Sequence, residues 1–201
     1  MKLYYKSGAC SLASHIALRE LDLSFEAISV DLATKKTVSG GDFLQVTSKG
    51  QVPALELDNG GGVLTEGAAI LQYIADLKPE AGLAPANGTL ERYRLQEWLS
   101  YISGTLHGNF SPLFNQAADA AAKDAARTIL ARKFDYVTTA LQGRDYLLGQ
   151  FNVADAYLYV VLGWAPRVGI DLARWPQLVA YRANISARPA VQAALKAEGL
   201  N

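Results

Sequence analysis

GQVPALELDNGGGVLTEGAAILQYIAD, residues 50–76, is the stretch whose reading decides the fold. Ala54–Leu57 and Val63-Leu64 are short apolar segments set apart by Asp58-Asn59-Gly60. Asn and Gly both tolerate positive φ, so an Asn-Gly step between apolar runs reads as a β-hairpin. The period then changes: Ala69, Ile70, Tyr73, Ile74 and Leu77 recur at helical spacing and form one apolar stripe. Upstream, residues 2–6 read as a strand, and Leu12/Ile16 with Ala13/Ala17/Leu21 as a helix. FEAISVDL (25–32) returns to strand, and residues 42–47 make a short helical turn. The order β-α-β-(α)-β-β-α joins one crossover unit to a terminal hairpin, which predicts a small mixed sheet.

Beyond that sheet the sequence is helical. Residues 79–88, rich in Pro and Gly and without period, read as a linker between a 1–78 domain and an all-helical 89–201 domain. Leu95, Leu99, Ile102 and Leu106 follow one helical stripe, and Ala126, Leu130, Phe134, Val137 and Leu141 another. VADAYLYVVLGWA is apolar on nearly every side, as a buried central helix should be. The chain has 201 residues, half of them apolar, so a sizeable core is available. Nineteen basic residues balance nineteen acidic ones, which argues against a nucleic-acid footprint. No apolar run approaches a membrane span, and MKLYYKSGAC is too weakly apolar for a signal peptide. One cysteine makes no internal disulfide and suits a reducing cytoplasm. With two histidines it makes no zinc motif, so no metal is expected.

That cysteine, Cys10, stands where strand turns to helix in GACSLASH (8–15). A helix beginning near Ser11 aims its free N–H groups and positive end at residues 10–11, which favours a thiolate and predicts a lowered pKa. The competing reading is a small buried hydrophobe. Ala13 occupies the partner position of a Cys-X-X-Cys pair, so a dithiol cycle is excluded. Val52-Pro53 is either an ordinary trans step or a cis turn whose exposed main chain can pair with a peptide. Thr65 is placed to cap the following helix, while the helix start and Glu66 together suit an α-amino-acid end, carboxylate and ammonium. A Ser11–His15 dyad is conceivable at i, i+4, against a structural, hydrogen-bonded His15.

These stretches, in register, resemble the bacterial beta class of cytosolic glutathione transferases. YYKSGACSLASHIALRE is similar to that class's N-terminal signature, and SKGQVPALELD and LTEGAAILQYIAD to its next motifs. FNVADAYL is similar to its capping-box motif, with Asn152 in place of the usual Ser or Thr; Asn caps equally well, leaving Asp155 free to reach back. The resemblance implies a thioredoxin-like N-terminal domain, an all-helical C-terminal domain, a homodimer, and glutathione as co-substrate with no other cofactor. It implies that Val52, beside Pro53 and Gln51, pairs with the cysteinyl backbone of glutathione. Glu66 and Gly67 would hold its γ-glutamyl end, and Lys35 its glycyl carboxylate. Cys10 would lie against its sulfur, and His107 would stabilise the thiolate. Ser100, Gly104 and His107 fall at i, i+4, i+7 and would line a cleft; Ser11 and Tyr5 are weaker candidates for the same site.

The implied activity is attack of the glutathione thiolate on a small hydrophobic electrophile, including displacement of chloride from an aromatic ring. Tyr101, Phe110, Phe114 and Trp164 are candidates for the apolar acceptor wall. A helix end with one or two donors supplies about 1–3 kcal/mol of thiolate stabilisation. The alternatives are thiol-disulfide exchange through Cys10 and a non-enzymatic ligand-binding or interaction module.

Overall fold

A computed structural model describes residues 1–200. The chain divides into two compact units, Met1–Pro85 with Arg188–Asn201, and Ala86–Ala187. In the first unit β1 (Lys2–Tyr5), α1 (Ser11–Glu20) and β2 (Glu26–Asp31) form a parallel crossover, Leu3 standing opposite Ala27. A two-residue strand, β3 (Lys36–Thr37), adds to the free edge of β2. β4 (Ala54–Glu56) pairs antiparallel with β1 and with β5 (Val63–Thr65), and α2 (Gly67–Asp76) follows. The sheet order β3-β2-β1-β4-β5 is a five-stranded mixed sheet of thioredoxin-like topology, one strand more than the sequence pattern suggests. The added strand, β3, is too short at two residues to show a period in the sequence. The turn between β4 and β5 is also longer than a two-residue hairpin: Asn59 and Gly60 both take positive φ, and Leu57 N–H closes the loop onto Gly62 C=O.

Successive β1 residues face opposite sides of the sheet. Leu3 joins Leu55, Ile16, Ile70 and Ile74 among the fully buried side chains. Tyr4 packs with Val30, Phe43, Val52 and Ala54, against which Ala9 also lies. That cluster ties the residue before Cys10 to the residue before Pro53. The last helix, α8 (Pro189–Ala197), packs on α1, and Arg188 grips Glu20 through two bonds of 2.7 and 2.8 Å. The sequence reading placed 189–201 with the helical domain. Helical spacing shows that a segment is a helix but not which partner it covers, and here the partner is α1.

The second unit is helical: α3 (Leu90–Ser100), α4 (Ser111–Phe114), α5 (Ala120–Ala140), α6 (Val153–Leu162) and α7 (Pro176–Ser186). α6 is buried on all sides. Asn152 caps it by accepting from Ala154 N–H at 2.9 Å, while Asp155 reaches back to accept from Asn152 N–H at 3.0 Å. α3 runs into a wider π-helical segment, Tyr101–Leu106, and then a tight turn, His107–Phe110. Among the described residues no helix is long and apolar enough to cross a membrane.

Candidate functional site

α1 begins directly after Cys10, which stands in the N-cap position. Its thiol donates to the Val52 carbonyl at 3.3 Å, across the cis Val52–Pro53 bond from Ala54. The Cys10 and Ser11 amides act on the sulfur in the expected, pKa-lowering direction. Burial outweighs them, Glu66 adds repulsion, and the thiol is pushed up to about 11. The expected lowering is therefore reversed in this state: the helix end is present, but the sulfur beside it is desolvated and half-buried.

Around that sulfur the first unit assembles most of the anticipated groups. The Val52 amide N–H has no acceptor among the described residues. Gly67 opens α2 against the Pro53 ring: a Cβ added there would lie 3.7 Å from Pro53 Cγ. Glu66, not Thr65, is the residue before the helix; Thr65 closes β5 instead. Glu66 holds φ 69° and ψ 114°, a conformation that costs a side-chain-bearing residue about 1–3 kcal/mol and marks functional positions. Its carboxylate takes Lys49 Nζ at 2.5 Å, and the same ammonium reaches Thr65 Oγ1 at 3.0 Å. Lys35, also at positive φ, donates to Gly50 C=O at 2.9 Å and so braces the turn that carries exposed Gln51.

Two anticipated residues are spent elsewhere. The Ser11 hydroxyl is fully buried and closes the β1–α1 loop, donating to Lys6 C=O (3.3 Å) and accepting from Lys6 N–H (3.2 Å). Tyr5 packs its ring on His15, with centroids 5.8 Å apart, and stands opposite Ser29 on the neighbouring strand. No Ser11–His15 dyad forms. His15 is fully buried, its Nδ1 2.9 Å from Glu198 Oε1 and its Nε2 accepting from Arg19 Nε at 3.1 Å, so Nδ1 carries the proton. Glu198 was not legible as a site residue. Its Oε2 accepts from Gly8 N–H at 3.0 Å and its carbonyl from Ser7 Oγ at 2.6 Å, fastening the loop that ends in Cys10.

In the second unit His107 follows the π-helical segment, so Ser100, Gly104 and His107 do not form the straight α-helical stripe that their spacing implied. Ser100 and Gly104 are exposed, with open space where a Gly104 side chain would be. His107 Nδ1 lies 2.8 Å from Tyr157 Oη, and its ring meets Trp164 edge-on at 4.7 Å. Burial lowers its pKa, so it is neutral near pH 7. A neutral ring can donate from Nε2 only if Tyr157 donates to Nδ1, which makes Tyr157 the group that selects the tautomer. Tyr157 could have been suspected from its hydroxyl, which needs a partner on an otherwise apolar helix. Phe110, Phe114 and Trp164 cluster beside His107, and of the three only Phe114 is substantially exposed. Tyr101 does not join them; it packs with Trp98 and Tyr136.

Comparison with known proteins agrees with this architecture. A model of the glutathione S-transferase N-terminal domain matches residues 1–76, and one of the C-terminal domain matches residues 101–189. The chain is 47% identical to glutathione S-transferase GstA of Escherichia coli O157:H7 over 201 residues, covering all of both chains. The structure of a bacterial beta-class glutathione S-transferase from Sphingomonas chungbukensis superposes with a TM-score of 0.97 at 51% identity, with full coverage of both chains. That of a sphingomonad glutathione S-transferase complexed with glutathione does so at 0.96 and 54%, again over both whole chains. Matched from end to end and in both family halves, the chain belongs to the bacterial beta class of the glutathione S-transferases and is a glutathione transferase.

Proposed function

We propose that this transferase binds glutathione along the turn at Val52 and activates its thiol at the start of α1 for attack on a small hydrophobic electrophile. The observation that carries the reading is a convergence within one unit: the Cys10 thiol, at the start of α1, donates to the Val52 carbonyl at 3.3 Å, and Gly67, the residue after Glu66, opens α2 against the Pro53 ring. The free Val52 N–H and its carbonyl suit the two main-chain groups of a cysteinyl residue, as in strand addition. Glu66 already holds an ammonium, that of Lys49, and the γ-glutamyl end offers another. The sphingomonad relative complexed with glutathione supports the choice of tripeptide.

In the reaction the glutathione S–H loses its proton to solvent, the α1 amides favour the resulting thiolate, and its electron pair forms a C–S bond. With a chlorinated aromatic, chloride leaves with the C–Cl pair. We assign the neutral His107, oriented by Tyr157, the role of donor to the thiolate, and Phe114 with Trp164 that of acceptor wall. A homodimer in the cytoplasm is the setting we propose. Disulfide exchange through Cys10 ranks second, because a thiol held near 11 is a poor attacking group at neutral pH.

Retention on immobilised glutathione with release by free glutathione tests the binding; flow-through of the wild-type protein rejects it. In a panel of chlorinated aromatics, epoxides and disulfides assayed with glutathione, Cys10→Ala is expected to abolish exchange with the disulfides and spare conjugation of the aromatics and epoxides. Equal loss of both activities would show that Cys10, rather than the helix end, activates the thiol.

A further inference from the structure

The second unit holds a cavity of about 770 Å³ outside every residue invoked above. That volume lies within the range of small-molecule pockets. One wall is a face of α7, where Val179, Arg182, Ala183 and Ser186 recur at i, i+3, i+4, i+7. The other is the segment 166–173, which brings Ile170 and Leu172. Its lining is mainly apolar, and Arg182 and Asp171 are its only charged members. They differ in kind. Asp171 is exposed and already caps the turn Leu172–Arg174 by accepting from Ala173 N–H at 2.9 Å.

Arg182 is half-buried, with its guanidinium 5.1 Å over the Tyr159 ring. Gly163 makes room for it: a Cβ there would stand 3.1 Å from Arg182 Nη2. No group among the described residues accepts a hydrogen bond from this guanidinium, and its Nε is buried without a partner. A guanidinium held over an aromatic face, with no hydrogen-bond acceptor of its own, is preorganised for a carboxylate.

We propose that this cavity is a ligand site for a small organic carboxylate, its apolar body against Ile170, Leu172 and Val179 and its carboxylate on Arg182. Calorimetric titration of the whole enzyme with naphthalene-2-carboxylate, under saturating S-hexylglutathione, tests the proposal, with naphthalene-2-carboxamide as the neutral control. One saturable site per chain is expected to persist with the glutathione analogue bound. Arg182→Met is expected to weaken the carboxylate about tenfold and leave the carboxamide nearly unchanged. Ala183→Phe, which fills the mouth without touching the charge, should weaken both. Asp171→Asn, which keeps the cap, should tighten the carboxylate. Conjugation by Arg182→Met should match wild type. Absence of saturable binding, displacement by S-hexylglutathione, or an Arg182→Met titration equal to wild type overturns the proposal.

Discussion

At the scale of the residue, the chemistry of Cys10 depends on which of two opposed effects is larger. Its position at a helix start was legible from a strand pattern giving way to helical spacing. Its protonation state was not, because burial is a property of the surroundings and not of the local sequence. Since the native thiol titrates near 11 and an unfolded one near 9, the native state holds the proton more tightly between those values. Stability contributed by Cys10 is therefore full below about pH 9 and declines as pH rises toward 11. Iodoacetamide alkylation of Cys10 in the absence of glutathione should rise with pH across the same window. Glu66→Gln, by removing a repelling charge, should move that profile to lower pH; an unmoved profile would deny Glu66 its electrostatic reach. Lys49 was equally hidden, seventeen positions from Glu66 in sequence. On the proposed reading the γ-glutamyl ammonium competes with Lys49 for the Glu66 carboxylate, so Lys49→Ala should lower the KM for glutathione by up to about fivefold, the range of an exposed pair. A raised KM would instead make Lys49 a ligand-binding group.

At the scale of the element, α6 shows what sequence patterns convey well. Its all-round apolarity, its Asn152 cap and the reach of Asp155 are readable without coordinates. What Asp155 does beyond the cap is not: its Oδ1 also accepts from Leu147 N–H at 2.9 Å and from Tyr181 Oη at 2.7 Å. One buried carboxylate thus joins α6, α7 and the loop before α6. Asp155→Ala strands these donors and should destabilise the protein by about 3 kcal/mol or more, seen as a lower urea midpoint. Asp155→Asn should recover only part, since an amide accepts through one oxygen. A loss under 1 kcal/mol would mean that water replaces the carboxylate. The π-helical turn before His107 was not legible, because apolar spacing at 95, 99, 102 and 106 is satisfied by an α-helix as well.

At the scale of the whole molecule, the decisive feature is that the first unit is discontinuous in sequence. Its sheet was largely readable from period changes; the return of α8 was not, because no local pattern says where a helix docks. Yet α8 delivers Glu198 to Gly8 and His15, so the thiol loop is fastened by residues nearly two hundred positions away. Glu198→Gln retains the shape and alters the acceptors; it should weaken glutathione binding and speed amide hydrogen exchange at Gly8, while exchange in α6 stays at wild-type rates. Unchanged exchange at Gly8 would reduce Glu198 to a packing residue. Vectorial synthesis gives this arrangement a temporal side. The ribosome releases the β-α-β segment first, but that segment cannot complete its packing until the codons for 188–200 have been translated. The middle of the polypeptide is thus free to finish folding before its beginning. A nascent chain arrested ahead of Arg188 should present protease-resistant helices downstream of a still-cleavable amino-terminal half.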